Sequence, residues 1–316
     1  MFKPLIIITG PTACGKTDVS VKFAQKIGGE IISADSMQVY KYMDIGTAKI
    51  KKEETQGIKH YLIDELYPNE EYSAAVFKNK AKDYIDNIYE RKKVPIVVGG
   101  TGFYINALIY DNDFSKVYND YKYRNEIENI YKQKGNMYIY EMLKKVDYES
   151  AEKIHPNNVK RIIRALEFYK QTGKKISEHN EFEKKRKSPY NVMLCILFMN
   201  KELLYNRINK RVDLMLKEGL LEEVERLLKM YDTSLTSMQG IGYKEIAEYF
   251  LGNLSYEDAV SLLKKNTRHF AKRQLTWFKH QMENAIWIDV EKFSNADVLS
   301  DYIYSIYLKE YCNEHN

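Results

Sequence analysis

The amino-acid sequence predicts an α/β fold, a parallel sheet covered by helices and interrupted by an all-helical insertion. Three observations carry this expectation. The apolar run Leu5-Ile6-Ile7-Ile8 leads directly into Gly10-Pro11-Thr12-Ala13-Cys14-Gly15-Lys16-Thr17 and then an amphipathic helix holding Val19, Phe23 and Ile27. Strand and helix patterns alternate through the first hundred residues, and the strands are β-branched, as strands buried on both faces are. From about Asp111 the strands stop, and residues 120–187 read as helices alone.

The first strand is expected at 5–9, and the segment after it matches G-x-x-x-x-G-K-[ST] in its required strand–turn–helix setting. Gly10 and Gly15 let the backbone curl so that successive N–H groups of the loop converge on phosphate oxygens. Lys16 adds a cation, and the Thr17 hydroxyl is suited to Mg²⁺. The core is therefore expected to be P-loop NTPase-like. A second strand at 30–34 ends in Asp35-Ser36, and a third at 94–98 ends in Gly99-Gly100-Thr101-Gly102. Ser73 is the expected cap of a helix running to 91. In a parallel sheet ligands collect at the carboxyl ends of strands, which brings these three polar clusters together.

Helices are expected at 121–133, 138–145 and 157–172, the last capped by Asn157 and stopped by Gly173. The basic run Lys184-Lys185-Arg186-Lys187 closes this block, and a strand at 192–199 resumes the core. Further helices follow at 201–217, 221–231, 243–251 and 256–280, the last with Ser255 and Asp258 as a capping pair. Ile286-Trp287-Ile288 reads as a short strand before a C-terminal helix. The expected organisation is 1–113 as the first part of the core, 114–190 as the helical insertion, and 191–316 as core completion with C-terminal helices.

Composition excludes several classes. With 316 residues, 44% hydrophobic and 29% charged, the chain can bury an ample core and is not disordered. No apolar run is long enough to span a membrane, and the first strand begins almost at Met1, so no signal peptide is expected. The three cysteines, Cys14, Cys195 and Cys312, form no C-x-x-C pair, which argues against disulfide and zinc scaffolds and for a cytoplasmic location. A net charge of +5 permits a polyanionic partner without requiring one.

Asp35 faces the phosphate loop from strand two. It could hold Mg²⁺ through water, take a proton from an attacking group, or simply cap a turn. Thr101 stands where many triphosphatases keep a metal-holding acid, and a neutral hydroxyl there argues against a conventional ATPase. Arg207 and Arg211, four apart on a helix, could reach phosphates or face solvent. Residues 267–280 interleave Arg268, Lys272, Arg273 and Lys279 with Phe270, Trp277 and Phe278, a pattern shared by RNA grips and ordinary basic helices. Lys160, Arg161 and Arg164 carry the same ambiguity.

Together these strings resemble the tRNA dimethylallyltransferases of bacterial type, also called tRNA isopentenyltransferases. The matches are the loop at 10–17, Asp35-Ser36-x-x-x-Tyr40, Met43-Asp44-Ile45-Gly46-Thr47-Ala48-Lys49, Tyr72-Ser73-Ala74-Ala75, Gly99-Gly100-Thr101, His155-Pro156-Asn157, Arg164-Ala165-Leu166-Glu167, Gly242-Tyr243 and Ala271-Lys272-Arg273-Gln274-x-Thr276-Trp277. The resemblance implies transfer of a dimethylallyl group from dimethylallyl diphosphate to N6 of the adenosine 3′ to the anticodon, with pyrophosphate released and Mg²⁺ as cofactor. It implies Asp35 as base, with Thr101, Lys16 and Arg211 in the catalytic set, and the loop Gly10, Pro11, Thr12, Ala13, Cys14, Gly15, Lys16 and Thr17 around the diphosphate. Contacts to the tRNA anticodon stem-loop fall by position on Asp35, Ser36, Met37, Gln38, Thr101, Arg124, Lys160, Arg161, Ile162, Ile163 and Arg164. Gln239, Gly240, Ile241, Gly242, Tyr243, Lys244, Arg268, Lys272 and Arg273 extend that set. The extracted base would have to leave its stack to reach Asp35. A monomer without membrane contact is expected. Cys14 replaces the family's usual serine, which suggests sensitivity to thiol reagents.

Three other readings remain open at this stage. A free adenine nucleotide could be the acceptor, but the basic helices would then have no use and binding would barely respond to salt. A non-catalytic RNA-binding module would not need Asp35 and Thr101 beside the loop. A small-molecule kinase fits the arginines but neither the long helical insertion nor the neutral Thr101, and a comparison of ATP with dimethylallyl diphosphate separates it.

Overall fold

The computed structural model of the chain describes residues 3–112, 121–184 and 186–311. Cys312, Lys185 and the expected boundary at 113/114 lie outside the described residues. Two compact units are present, Met1–Ile109 with Pro189–Asn316, and Tyr110–Ser188.

The first unit is built on six strands: β1 (Lys3–Thr9), β2 (Gly29–Ser33), β3 (His60–Tyr61), β4 (Val94–Gly99), β5 (Tyr190–Phe198) and β6 (Ile286–Asp289). They pair in the order β3-β2-β4-β1-β5-β6, and every pair is parallel. Leu5, Ile6, Ile7 and Ile8 in the central strand are fully buried, as an unbroken apolar run between two helical layers must be. Register sets the top edge of the sheet: Thr9 lies beside Gly99 and Ile196, and Ser33 beside Val98. The three loops that leave β1, β2 and β4 therefore emerge side by side.

Helices α1 (Lys16–Ile27), α2 (Ala74–Glu90) and α3 (Gly102–Ile109) follow the first strands. Ser73 caps α2 as expected, its Oγ accepting from Val76 N–H at 3.4 Å. The second segment of this unit's chain adds α9 (Lys201–Lys217), α10 (Leu220–Met230), α11 (Tyr243–Phe250), α12 (Tyr256–Gln281) and α13 (Ala296–Tyr311). Ser255 caps α12 at Asp258 N–H, 3.0 Å away, and donates to the Asp258 carboxylate. A separate apolar cluster joins Val39, Tyr40 and Met43 to Val212, Leu220, Val224, Leu227, Tyr243 and Ile246, so the loop after β2 is packed against α9, α10 and α11.

Among its described residues the second unit has five helices: α4 (Tyr121–Lys134), α5 (Asn136–Val146), α6 (Tyr148–Lys153), α7 (Val159–Thr172) and α8 (Ile176–Lys184). Ile127, Ile139, Leu143, Ile162, Ile163 and Leu166 are its core. Buried Asp147 starts two helices at once, accepting from Ser150 N–H and Oγ and from Ser177 N–H and Oγ at 2.7–3.0 Å. Asn157 does not cap α7. Its amide carbonyl is taken by Asn136 Nδ2 at 2.6 Å, and the helix starts two residues later, beyond Asn158.

Candidate active site

The loop at 10–17 has the curl its glycines permit. Gly10 sits at φ +146° with its α-carbon so close to Leu197 O that a Cβ would stand 2.3 Å from it, and Gly15 at φ +85° turns the chain into α1. Lys16 Nζ folds back over the loop to Gly10 O (3.0 Å) and Pro11 O (2.7 Å). Thr17 is half-buried, and its hydroxyl makes no hydrogen bond among the described residues. Cys14 is only 2% exposed, with Sγ 3.9 Å from Lys16 Nζ, so the expected sensitivity to thiol reagents does not follow: the thiol is shut inside the loop.

Around this loop lies a cavity of about 950 Å³. Thr12, Ala13, Gly15, Lys16 and Thr17 form one wall, Asp35 and Gln38 the end of β2, and Gly99 and Gly100 the end of β4. Arg207 and Arg211 line it from α9, Arg207 exposed and Arg211 half-buried. Neither guanidinium has a hydrogen bond or ion pair among the described residues. Burial pushes Arg211 down from its ordinary value, while Asp35, Cys14, Asp18 and Glu54 pull it back toward the charged form. A half-buried, unpaired guanidinium on a cavity wall is a ready anion site.

Asp35 Oδ1 accepts from Met37 N–H (2.9 Å) and Gln38 N–H (3.4 Å), so one carboxylate oxygen caps the local turn. The other oxygen has no partner among the described residues and is free for chemistry. Thr101 does not line the cavity. It opens α3, a helix the sequence reading missed, and its Oγ1 accepts from Ser36 N–H at 3.1 Å. The hydroxyl thus stands beside the Asp35-Ser36 corner with its proton still available for donation.

The turn at 43–49 forms the far wall and is held by Glu223 of α10. Its carboxylate accepts from Asp44 N–H and Ile45 N–H (2.9 Å each), Gly46 N–H (3.0 Å) and Tyr243 Oη (2.7 Å). Lys49, nearly buried, donates to Tyr40 O, Asp44 Oδ1 and Asp64 Oδ1 at 2.8, 2.6 and 2.5 Å. Sequence reasoning missed Glu223, because its partners lie 177–179 residues away.

A match to the IPP transferase family model spans residues 38–281. The chain belongs to that family. It is 53% identical over 294 residues to the tRNA dimethylallyltransferase of Acetivibrio thermocellus, covering 93% of this chain and 94% of that one. It is 51% identical over 311 residues to that of Lachnoclostridium phytofermentans, covering 98% and 99%. Among solved structures, the tRNA isopentenylpyrophosphate transferase of Bacillus halodurans aligns with a TM-score of 0.74 at 41% identity, covering 99% of this chain and all of that one. A eukaryotic dimethylallyltransferase acting on tRNA aligns with a TM-score of 0.85 at 32% identity, covering 98% of this chain and 80% of that one.

The remaining candidate residues of this IPP transferase family member divide by burial. Lys160, Arg161, Gln239, Lys272 and Arg273 are exposed, while Ser36, Met37, Gln38, Gly240, Ile241, Lys244 and Arg268 are half-buried. Arg268 also donates to Asn209 Oδ1 at 2.7 Å. Several expected RNA contacts need correction at the side-chain level. Ile162, Ile163 and Tyr243 are 0, 3 and 0% exposed, so their side chains pack cores instead of meeting a partner. Gly242 is buried too, its N–H given to Glu245. Arg124 is held against the buried Glu167 at 3.1 Å, which ties it to the helical core, while Arg164 is half-buried and burial pushes it below its ordinary value. No helix among the described residues is long and apolar enough to cross a membrane.

Proposed function

We propose that this chain transfers a dimethylallyl group from dimethylallyl diphosphate to N6 of the adenosine 3′-adjacent to the anticodon in tRNA. The carrying observation is the cavity: unpaired Arg207 and Arg211, the loop's backbone donors and the partnerless Thr17 hydroxyl on one side, with a free Asp35 oxygen on the wall. That set recognises a polyphosphate and offers one proton acceptor. It lacks the acid after β4 that a conventional triphosphatase would use, since Gly99, Gly100 and Thr101 stand there.

In the reaction the adenine amine forms the new C–N bond as the allylic C–O bond breaks, and pyrophosphate leaves with the electron pair. Lys16, Arg211 and the loop amides stabilise the charge that develops on the leaving oxygens. Asp35 takes the proton that N6 loses, and the Thr101 hydroxyl orients the adenine edge. Thr17 is the residue suited to hold Mg²⁺ together with the diphosphate, and the donor set fits, because this ion is commonly bound by few protein oxygens plus substrate phosphates. When bound, the metal would neutralise charge on the leaving group. Residues 114–190 are proposed as the tRNA-binding domain, acting through exposed Lys160 and Arg161, and Lys272 and Arg273 of α12 supply further phosphate contacts.

Thermal melting tests the ligand. Dimethylallyl diphosphate with Mg²⁺ should raise the melting temperature at concentrations where ATP does not, since only a ligand of the native state stabilises it. A larger shift with ATP would return the site to the kinase reading. Steep loss of tRNA affinity with added salt is expected for an RNA acceptor, and a flat response would favour a free nucleotide.

A further inference from the structure

Gln274 lies in the C-terminal third of α12, 7% exposed, in a helix whose neighbouring Lys272 and Arg273 are solvent-facing. Its amide uses both ends. Oε1 accepts from Thr12 N–H at 2.9 Å, and Nε2 donates to Gly100 O at 2.8 Å. One side chain thereby cross-links the phosphate loop to the turn after β4. Flipping the amide would set donor against donor at Thr12, so the network fixes its orientation. The turn is shaped to receive it: a Cβ on Gly100 would stand 2.2 Å from Nε2.

Two consequences follow from this link. Thr12 N–H is directed at Gln274, which fixes the curl in which the following loop amides face the cavity. Gly100 O is held one residue before Thr101, whose hydroxyl meets the Asp35-Ser36 corner. We propose that Gln274 is a positioning residue that sets the phosphate loop in register with the Thr101–Asp35 side, so that the donor's diphosphate and the acceptor's amine are presented together. This rests on the function proposed above.

The test uses the full chain and two readouts, calorimetric binding of inorganic pyrophosphate with Mg²⁺ and steady-state transfer. Gln274→Met keeps the volume and removes both hydrogen bonds. It should weaken pyrophosphate binding about tenfold and lower kcat/KM for the donor by about ten- to a hundredfold, the size expected for one or two buried hydrogen bonds. Affinity for tRNA should change less than about twofold. Gly100→Ala should reproduce these effects. Gln274→Glu separates positioning from bulk stability, because only its protonated carboxyl can accept from Thr12 and donate to Gly100. The deficit of this variant relative to the wild type should close as pH is lowered from about 8 to 6, as its carboxyl gains the proton. If the Met variant does not fold, the Glu variant decides alone. Wild-type pyrophosphate affinity in the Met variant, an equal loss of tRNA affinity, or a pH-independent deficit in the Glu variant would overturn the proposal. A wild-type chain that binds pyrophosphate but transfers nothing would overturn the activity instead.

Discussion

The phosphate loop and the turn at 43–49 line the same cavity yet handle polar groups in opposite ways. Around the loop, Arg207, Arg211, the Thr17 hydroxyl and one Asp35 oxygen have no partner among the described residues. On the turn nearly everything is matched within the protein: Lys49 lies between Asp44 and Asp64, and Glu223 closes three backbone amides and a buried phenol. Both segments carry strings that match the family, but only one is left electrostatically open. A motif's specificity therefore does not say whether it performs chemistry. Unpaired charge on a cavity wall does, because such groups are costly unless a ligand completes them.

Substitutions sharpen this contrast. Asp35→Ala should lower turnover by roughly 10² to 10⁴, the range for a positioned base, with a stability loss of only about 1 kcal/mol from the lost turn cap at Met37 and Gln38. Near-normal turnover would remove Asp35 from the mechanism. Arg211→Ala should cost about 10² to 10³ in kcat/KM for the donor, again without a stability penalty, since no protein partner is orphaned. On the matched side the signature reverses. Glu223→Ala leaves three amides and the Tyr243 hydroxyl unsatisfied, so chemical denaturation should reveal a loss of about 3 kcal/mol or more. Wild-type stability in that variant would break the distinction between the two walls.

Acid sensitivity gives a smaller effect. Burial alone would raise Glu30, but hydrogen bonds from Lys93, Tyr61 and Arg91 overcome it and hold its pKa at about 2, below the ordinary 4.5. The folded value is the depressed one, so the stabilisation is complete above about 4.5 and is lost as pH falls toward 2. Glu30→Gln should flatten that part of the stability–pH curve. The smallest effect is expected from Lys160→Ala or Arg161→Ala, each reducing the salt slope of tRNA binding by about one if it contacts a phosphate.

How much of this was legible in the sequence depended on distance along the chain. Strands with continuous apolar runs and the helix at 201–217 were readable because their signals are local. The two-residue β3 carries too little pattern to register, and α3 was hidden behind Gly99-Gly100-Thr101-Gly102, which reads as a turn. Those glycines answer to neighbours that no local pattern reveals: backbone of Ala34 at Gly99, Gln274 at Gly100 and the Trp277 ring at Gly102. The site divides in the same way. The loop, Asp35 and Arg211 announce themselves by residue type and spacing, whereas Gln274 and Glu223 act mainly through partners 174–262 residues away. Tyr243 misled for a related reason, since a tyrosine within a polar, glycine-rich stretch gives no sign that its ring is buried against Gly46.

The most direct test of the central claim is a single-turnover reaction with labelled dimethylallyl diphosphate, Mg²⁺ and unmodified tRNA carrying adenosine 3′ to the anticodon, with free adenylate as a parallel acceptor. The account predicts label in the tRNA as N6-isopentenyladenosine, with one pyrophosphate released per transfer. Label confined to adenylate, or no product with a correct tRNA, would contradict it.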